Sequence, residues 1–229
     1  MVDIGLNQRV RTYAYTVSER RVHKEGLVPT FMTRLIGIAG PMRSGKSSIA
    51  SFLSAWEEGA KVIPMACAVR DAAAKLLYGK YDSPRAKWDA VEQLRKKDCR
   101  PILQAIGHGK RTLIGEDVWV DAWETKYKRV RRHTEALVIV DDVRYPNEVE
   151  RIISLGGRMV QLRCDPMELF DRGASTDSLR HPSEHSLDLD NLTLLEGEMG
   201  LRRIIYHSDK VSASHIARDI KRWLVEAEE

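Results

Sequence analysis

Apolar positions in this chain switch between two spacings. Short continuous runs alternate with longer stretches in which apolar residues return every three or four positions, the pattern of strands alternating with helices. Leu35 to Ala39 is continuous and predicts a buried strand; Ile49, Ala50, Phe52, Leu53 and Trp56 follow at helical spacing. Lys61 to Ala66 predicts a second strand. From about Ala68 to Tyr78 a helix is expected, with Val69, Ala72, Ala73, Leu76 and Leu77 inward and Gly79 as its stop. Ser83-Pro84 opens a charged helix through Lys97. Pro101 opens another that carries Ile102, Leu103 and Ile106, ends near Gly107 and Gly109, and leaves Lys110 and Arg111 in a loop. Glu116-Asp117 begins a helix with Trp119, Val120 and Trp123 that runs into the basic stretch Lys126 to Arg132.

Ala136 to Val140 is apolar throughout and ends in the paired acids Asp141 and Asp142, the pattern of a central parallel strand whose carboxyl end faces a ligand. A helix from Pro146 to Leu155, a strand around Met159 to Leu162, a strand from Arg203 to Tyr206 and a helix from Ser214 to Val225 complete the order. The expected fold class is α/β, a mostly parallel sheet covered by helices on both faces. Two segments depart from the pattern. Residues 1–33 are basic, with few apolar positions, and are expected as a peripheral or flexible extension to a domain spanning 34–229. Residues 165–190 are too polar for core and too long for a turn, which predicts a mobile lid.

Composition adds little to that picture. At 229 residues with a net charge of +4, the chain suits one domain and a polyanionic ligand. Cys67, Cys99 and Cys164 have neither disulfide-framework nor zinc spacing, and a reducing cytoplasm is the expected setting. No run is apolar enough to predict a membrane span or a signal peptide. His181 and His185 have metal-like spacing but lie in a polar, proline-containing segment without an evident third ligand, so a zinc site is not expected.

The chemistry begins where the first strand meets Gly40-Pro41-Met42-Arg43-Ser44-Gly45-Lys46-Ser47-Ser48, which fits the phosphate-loop pattern G-x-x-x-x-G-K-[ST]. Strand, glycine loop and helix N-terminus stand in the order that anion binding requires: loop N–H groups and the helix dipole face a phosphate, Lys46 adds a point charge, and the Ser47 hydroxyl can ligate Mg²⁺. The predicted nucleotide-binding set is therefore Gly40, Arg43, Ser44, Gly45, Lys46, Ser47 and Ser48, with ATP and Mg as cofactors. Arg43 is placed to reach a phosphate. Arg70, at the start of a helix, is placed to fork onto an acceptor phosphate. Asp142 and Arg144 fall where ligands of open α/β sheets lie, and Asp142 with Ser47 is the expected metal pair. Trp119 is read either as a base-stacking residue or as core. Arg172 and Arg180, in the expected lid, join Lys46, Arg43 and Asp142 as candidates for stabilising a moving phosphoryl group.

Taken in order, several segments resemble the phage deoxynucleoside monophosphate kinase family. They are the phosphate loop with its arginine, Ala66 to Asp71, Leu103-Gln104-Ala105-Ile106-Gly107 with Arg111 and Trp119-Val120, Val140 to Glu148, and His181-Pro182-Ser183-Glu184-His185. The resemblance implies phosphoryl transfer from ATP to a deoxynucleoside monophosphate, with Lys46 and Arg43 on the ATP phosphates. It further implies an acceptor site lined by Arg70, Arg111, Trp119, Asp142, Arg144 and Glu148, and a homodimer. Ser47 stands where some relatives carry Asp, Cys67-Ala68-Val69 replaces a proline-containing stretch, and His108 replaces a small polar residue; these departures bear on the choice of acceptor. Two other readings stay open. One is a phosphate-loop kinase for another acceptor, of phosphomevalonate or dephospho-coenzyme A type. The other, ranked behind it, is an ATP-dependent nucleic-acid module suggested by the basic arm and the Lys126 to Arg132 run; that run is otherwise a solvated helix face.

Overall fold

A computed structural model describes residues 34–80, 99–179 and 203–226, together with Ser83, Arg85, Ala86, Asp89, Ala90, Val91, Gln93, Glu184 and Leu187. The 1–33 extension, much of the predicted 83–97 helix, and Arg180, His181 and His185 lie outside the described residues.

Five strands form one sheet: β1 (Leu35–Ala39), β2 (Lys61–Val62), β3 (Val138–Val143), β4 (Arg158–Arg163) and β5 (Arg203–His207). Their order is β2-β3-β1-β4-β5 and every pairing is parallel. The chain therefore crosses over after β1, placing the turn that follows it next to the end of β3 and at the point where the strand order reverses.

The two-residue period of the strands sorts their side chains onto two cores. Leu35, Ala39, Val138, Val140 and Met159 face one side. There α4 (Val118–Arg131) contributes Trp123 and Tyr127, and α5 (Pro146–Ser154) contributes Val149 and Ile152. Ile36, Ile38, Ile139, Val160 and Leu162 face the other, against Ile49, Ala50 and Leu53 of α1 (Lys46–Trp56) and Ile216, Ala217 and Ile220 of α8 (Ala213–Glu226). The helices α2 (Cys67–Tyr78) and α3 (Arg100–Ile114) pack together beside the first core, and α6 (Pro166–Asp171) and α7 (Thr176–Leu179) follow β4. Among the described residues no helix is long and apolar enough to cross a membrane.

Two boundaries differ from expectation. β2 pairs over only two residues, because the chain leaves the sheet edge at Ile63 to enter α2. α3 runs straight through Gly107 and Gly109 and ends at Ile114, so Arg111 lies on a helix and not in a loop. Tertiary contact overrides the glycine cost here: the Gly107 carbonyl accepts a hydrogen bond from the Trp119 indole at 2.9 Å, and a Cβ on Gly107 would sit 3.9 Å from Val69.

Trp123 anchors the first core. It is fully buried, stacks on Tyr127 at 5.3 Å, and its indole N–H donates to the Ile63 carbonyl at 2.9 Å, where the edge strand leaves the sheet. Trp123→Ala is expected to lower the unfolding free energy by about 3–5 kcal/mol, read from the urea midpoint.

Candidate functional site

The turn after β1 is a backbone cradle. Gly40 has φ 148, and a Cβ there would lie 2.9 Å from Leu162; Gly45, just before α1, has φ 93 in the left-handed region that favours glycine. Arg43 adopts φ 65 without being glycine, a conformation costing about 1–2 kcal/mol. Within the turn the Ser44 N–H donates to the Pro41 carbonyl at 3.2 Å, and the loop leads into the N-terminus of α1, a setting that suits an anion. Ser44 is buried within this turn and its hydroxyl has no partner there, a polar atom left for a ligand to satisfy.

Lys46 is 7% exposed and its ammonium folds back onto the turn, donating to the carbonyls of Gly40 at 2.7 Å and Pro41 at 2.6 Å. Burial, reinforced by the positive charge of Arg144 and only partly offset by Asp142 and Asp141, holds its pKa down at about 7. Arg43 is exposed, with its guanidinium beside Gly173 in the turn between α6 and α7, and Ser48 is exposed in the first turn of α1.

β3 supplies the other wall. Between its pairings to Gly37 and Ala39, β3 carries two residues where β1 carries one, a bulge that falls on Asp141 and Asp142. The two carboxylates part company there. Asp141 continues the Leu137, Ile139 side that faces α1, and accepts a hydrogen bond from the Ser47 hydroxyl at 2.8 Å. Asp142 continues the Val138, Val140 side and accepts from the backbone N–H groups of Met65 at 2.6 Å and Ala66 at 3.1 Å, with Arg70 of α2 at 4.0 Å. Burial pushes the Asp142 carboxyl up, against the pull of Arg70. Of the two acids it is Asp141, and not the Asp142 expected to share a metal with Ser47, that meets the Ser47 hydroxyl, since strand alternation turns Asp142 to the opposite face. That parity is legible in the sequence once α1 is assigned a side.

Beyond β3 the buried carboxylate of Glu148 organises the next turn. Its Oε2 accepts from the N–H of Arg144 at 2.7 Å and of Tyr145 at 3.2 Å, closing the start of α5, and its Oε1 accepts from Arg111 at 2.9 Å. The Arg111 guanidinium also lies over the Tyr145 ring at 3.8 Å. Burial raises the Glu148 pKa, opposed first by Arg111. Glu148 is thus a holder of Arg111 and not a group open to a ligand. Breaking such a buried pair by removing one partner typically costs about 3–5 kcal/mol.

Arg70, Asp142, Arg144 and Glu148 come together beside the phosphate loop; two other candidates do not join them. Trp119 is 4% exposed, donates to Gly107, and has the Lys110 ammonium 4.9 Å from its ring centroid, so it is core and not a base-stacking surface. Arg172 donates through Nε to Glu168 at 2.9 Å and through Nη2 to the Ser208 carbonyl at 3.0 Å. It ties the end of α6 to the turn after β5, a structural commitment that removes it from the expected phosphoryl-stabilising set.

Glu184, which enters from sequence only within the 181–185 segment, has a sharper position than expected. One carboxylate oxygen accepts from the N–H of Met42 in the phosphate loop at 2.7 Å, and the other pairs with Arg144. A carboxylate thus occupies loop and arginine donors that suit a phosphate. No group of three or more His, Cys, Asp or Glu suited to hold a metal occurs among the described residues. The Ser47 hydroxyl and Asp141 carboxylate are hard oxygen donors that suit Mg²⁺ shared with phosphates and water.

A family model described as an AAA domain matches residues 36–180. Among solved structures, an unliganded sugar kinase from Janibacter sp. is 15% identical, with 86% of this chain and 98% of that one covered and a TM-score of 0.40. A putative kinase from Chloroflexus aurantiacus is 13% identical over 86% and 98% of the two chains, TM-score 0.47. Shikimate kinase from Acinetobacter baumannii, in complex with shikimate, is 15% identical over 86% and 96%, TM-score 0.40. At these scores none bears on substrate or mechanism. A search of the curated proteins found no match.

Because Glu184 competes for donors that suit phosphate, Glu184→Gln is expected to tighten binding of metal-free ADP by about tenfold, measured by calorimetry. A purely structural Glu184 would give weaker binding.

Proposed function

We propose that this chain, which belongs to the AAA-domain family, transfers the γ-phosphoryl group of ATP to a deoxynucleoside 5′-monophosphate. The observation that carries this reading is the pairing of two phosphate-suited regions across the end of β3. On one side lie the phosphate loop, Lys46 and the Ser47–Asp141 bond; on the other lie Arg70, Arg111 and Arg144, held by Asp142, Glu148 and Glu184.

ATP fits the first side because its phosphates would satisfy the orphaned Ser44 hydroxyl and meet the buried Lys46 ammonium at the N-terminus of α1. Ser47 and Asp141 would hold Mg²⁺, which when bound would supply charge neutralisation on the donor phosphates. A monophosphate fits the second because arginine forks match phosphate oxygens, and the guanidiniums are already oriented. The acceptor's second pKa lies near 6, so its attacking oxygen is ionised at neutral pH and the chain needs no general base. The protein's task is then to hold two mutually repelling phosphates in line and to spread positive charge from Lys46 and Arg144 over the group in transit. Arg43, exposed beside the loop, adds charge on the ATP side.

A second reading has one observation in its favour. With Trp119 buried, the residue expected to stack on a base is taken into the core, which suits a different phosphorylated acceptor. Assaying ATP with each common deoxynucleoside and ribonucleoside monophosphate, with phosphomevalonate and with dephospho-coenzyme A separates the readings. The expected outcome is diphosphate formation from a deoxynucleoside monophosphate, lost by at least about 100-fold in Lys46→Ala with an unchanged circular dichroism spectrum. Near-normal turnover in that variant, or turnover of only the non-nucleotide acceptors, would overturn the assignment.

A further inference from the structure

The basic stretch that closes α4 takes no part in the site above, and its charges divide between two faces. Lys128 pairs with Glu124 at 2.6 Å and Arg131 with Glu135 at 2.8 Å. Lys126 and Arg129 lie at i and i+3 on another stripe, with His133 in the turn just past the helix, and among the described residues no carboxylate pairs with them. With Lys61 of β2, Val130 and Thr134 they line an open cavity of about 410 Å³.

Cations are favoured at a helix C-terminus by about 0.3–1 kcal/mol each, which accounts for Arg129 in the last turn. It does not account for Lys61, which comes from the edge strand, or for Lys126, a turn earlier. Converging cations from two elements repel one another, and an anion between them relieves that repulsion. Val130 and the aliphatic stems of the lysines give the cavity apolar wall between its charges. Its volume falls within the range of about 300–1,000 Å³ typical of small-molecule sites. Lys61 pairs with Val138, where β3 begins, whereas the phosphate loop lies past the carboxyl end of β1.

We propose that this cavity is a second anion site, separate from the phosphate loop, that takes a small molecule bearing clustered phosphates.

Titrating the full chain with ADP and, separately, with inorganic tripolyphosphate tests the proposal. The wild-type chain is expected to bind two equivalents, and Lys46→Ala to keep one. Adding Lys126→Gln and Arg129→Gln to Lys46→Ala is expected to weaken that remaining site at least tenfold. The same pair of changes in the wild-type background, where both residues are exposed, should leave the phosphate-loop site and the thermal midpoint unchanged. Equal affinities would assign recognition to the phosphates alone, and tighter ADP binding to a nucleoside phosphate. Loss of all binding in Lys46→Ala, or residual binding indifferent to the double substitution, would overturn the proposal. So would a single-stranded oligonucleotide that binds Lys46→Ala more tightly than either probe and is lost with Lys126 and Arg129, which would reassign this face to a nucleic-acid backbone.

Discussion

The bulge at Asp141 and Asp142 sets the geometry on which everything near the site depends. A single extra residue in β3 places two adjacent carboxylates where the strand leaves the sheet, one turned to each face. Asp141 reaches the start of α1 through Ser47, and Asp142 clamps the entry to α2 by accepting from Met65 and Ala66. Helices that pack on opposite sides of the sheet are thereby referenced to the same two residues. The distance between the start of α1 and the arginine on α2 is then fixed by one short piece of backbone.

Electrostatic economy explains why the arginines stay oriented. Arg70 faces Asp142, Arg111 is held by Glu148, and Arg144 meets Glu184. Desolvating a carboxylate is unfavourable, and burial raises the pKa of both Asp142 and Glu148. Backbone N–H groups from Met65, Ala66, Arg144 and Tyr145 offset that cost without neutralising the guanidiniums themselves. What results is a set of cations pre-oriented by groups that are already satisfied, so that ordering them is not charged against a ligand's arrival. Lys46 is the opposite case, a buried cation whose hydrogen bonds go to the Gly40 and Pro41 carbonyls, and burial together with the charge of Arg144 holds its pKa down against Asp142 and Asp141.

Much of this was legible before any coordinates. The Leu35–Ala39 run, the glycine spacing from Gly40 to Gly45 and the apolar run before Asp141 carry their own periodicity, and β1, α1 and β3 stand where that periodicity puts them. What the sequence left unread are properties that only packing decides. Trp119 at helical spacing is compatible with core or with stacking until Gly107 supplies a carbonyl for its indole. Arg111 looks like a loop residue until α3 continues through two glycines to present it to Glu148. Arg172 carries no local sign that Glu168 and Ser208 engage it. The choice between Asp141 and Asp142 was readable in principle, since alternation alone assigns them to opposite faces, but it required knowing on which face α1 lies.

The central claim is that the arginines beyond β3 receive a phosphate and not merely an anion at large. The most direct test is equilibrium binding, to the ADP-loaded protein, of a deoxynucleoside monophosphate and of the same deoxynucleoside without its phosphate. Charged hydrogen bonds contribute about 1.5–3 kcal/mol each, so the monophosphate should bind at least about 100-fold more tightly, and Arg70→Ala should shrink that gap by about tenfold while leaving the nucleoside unaffected. Equal affinities for the two compounds, or a gap indifferent to Arg70, would contradict the account.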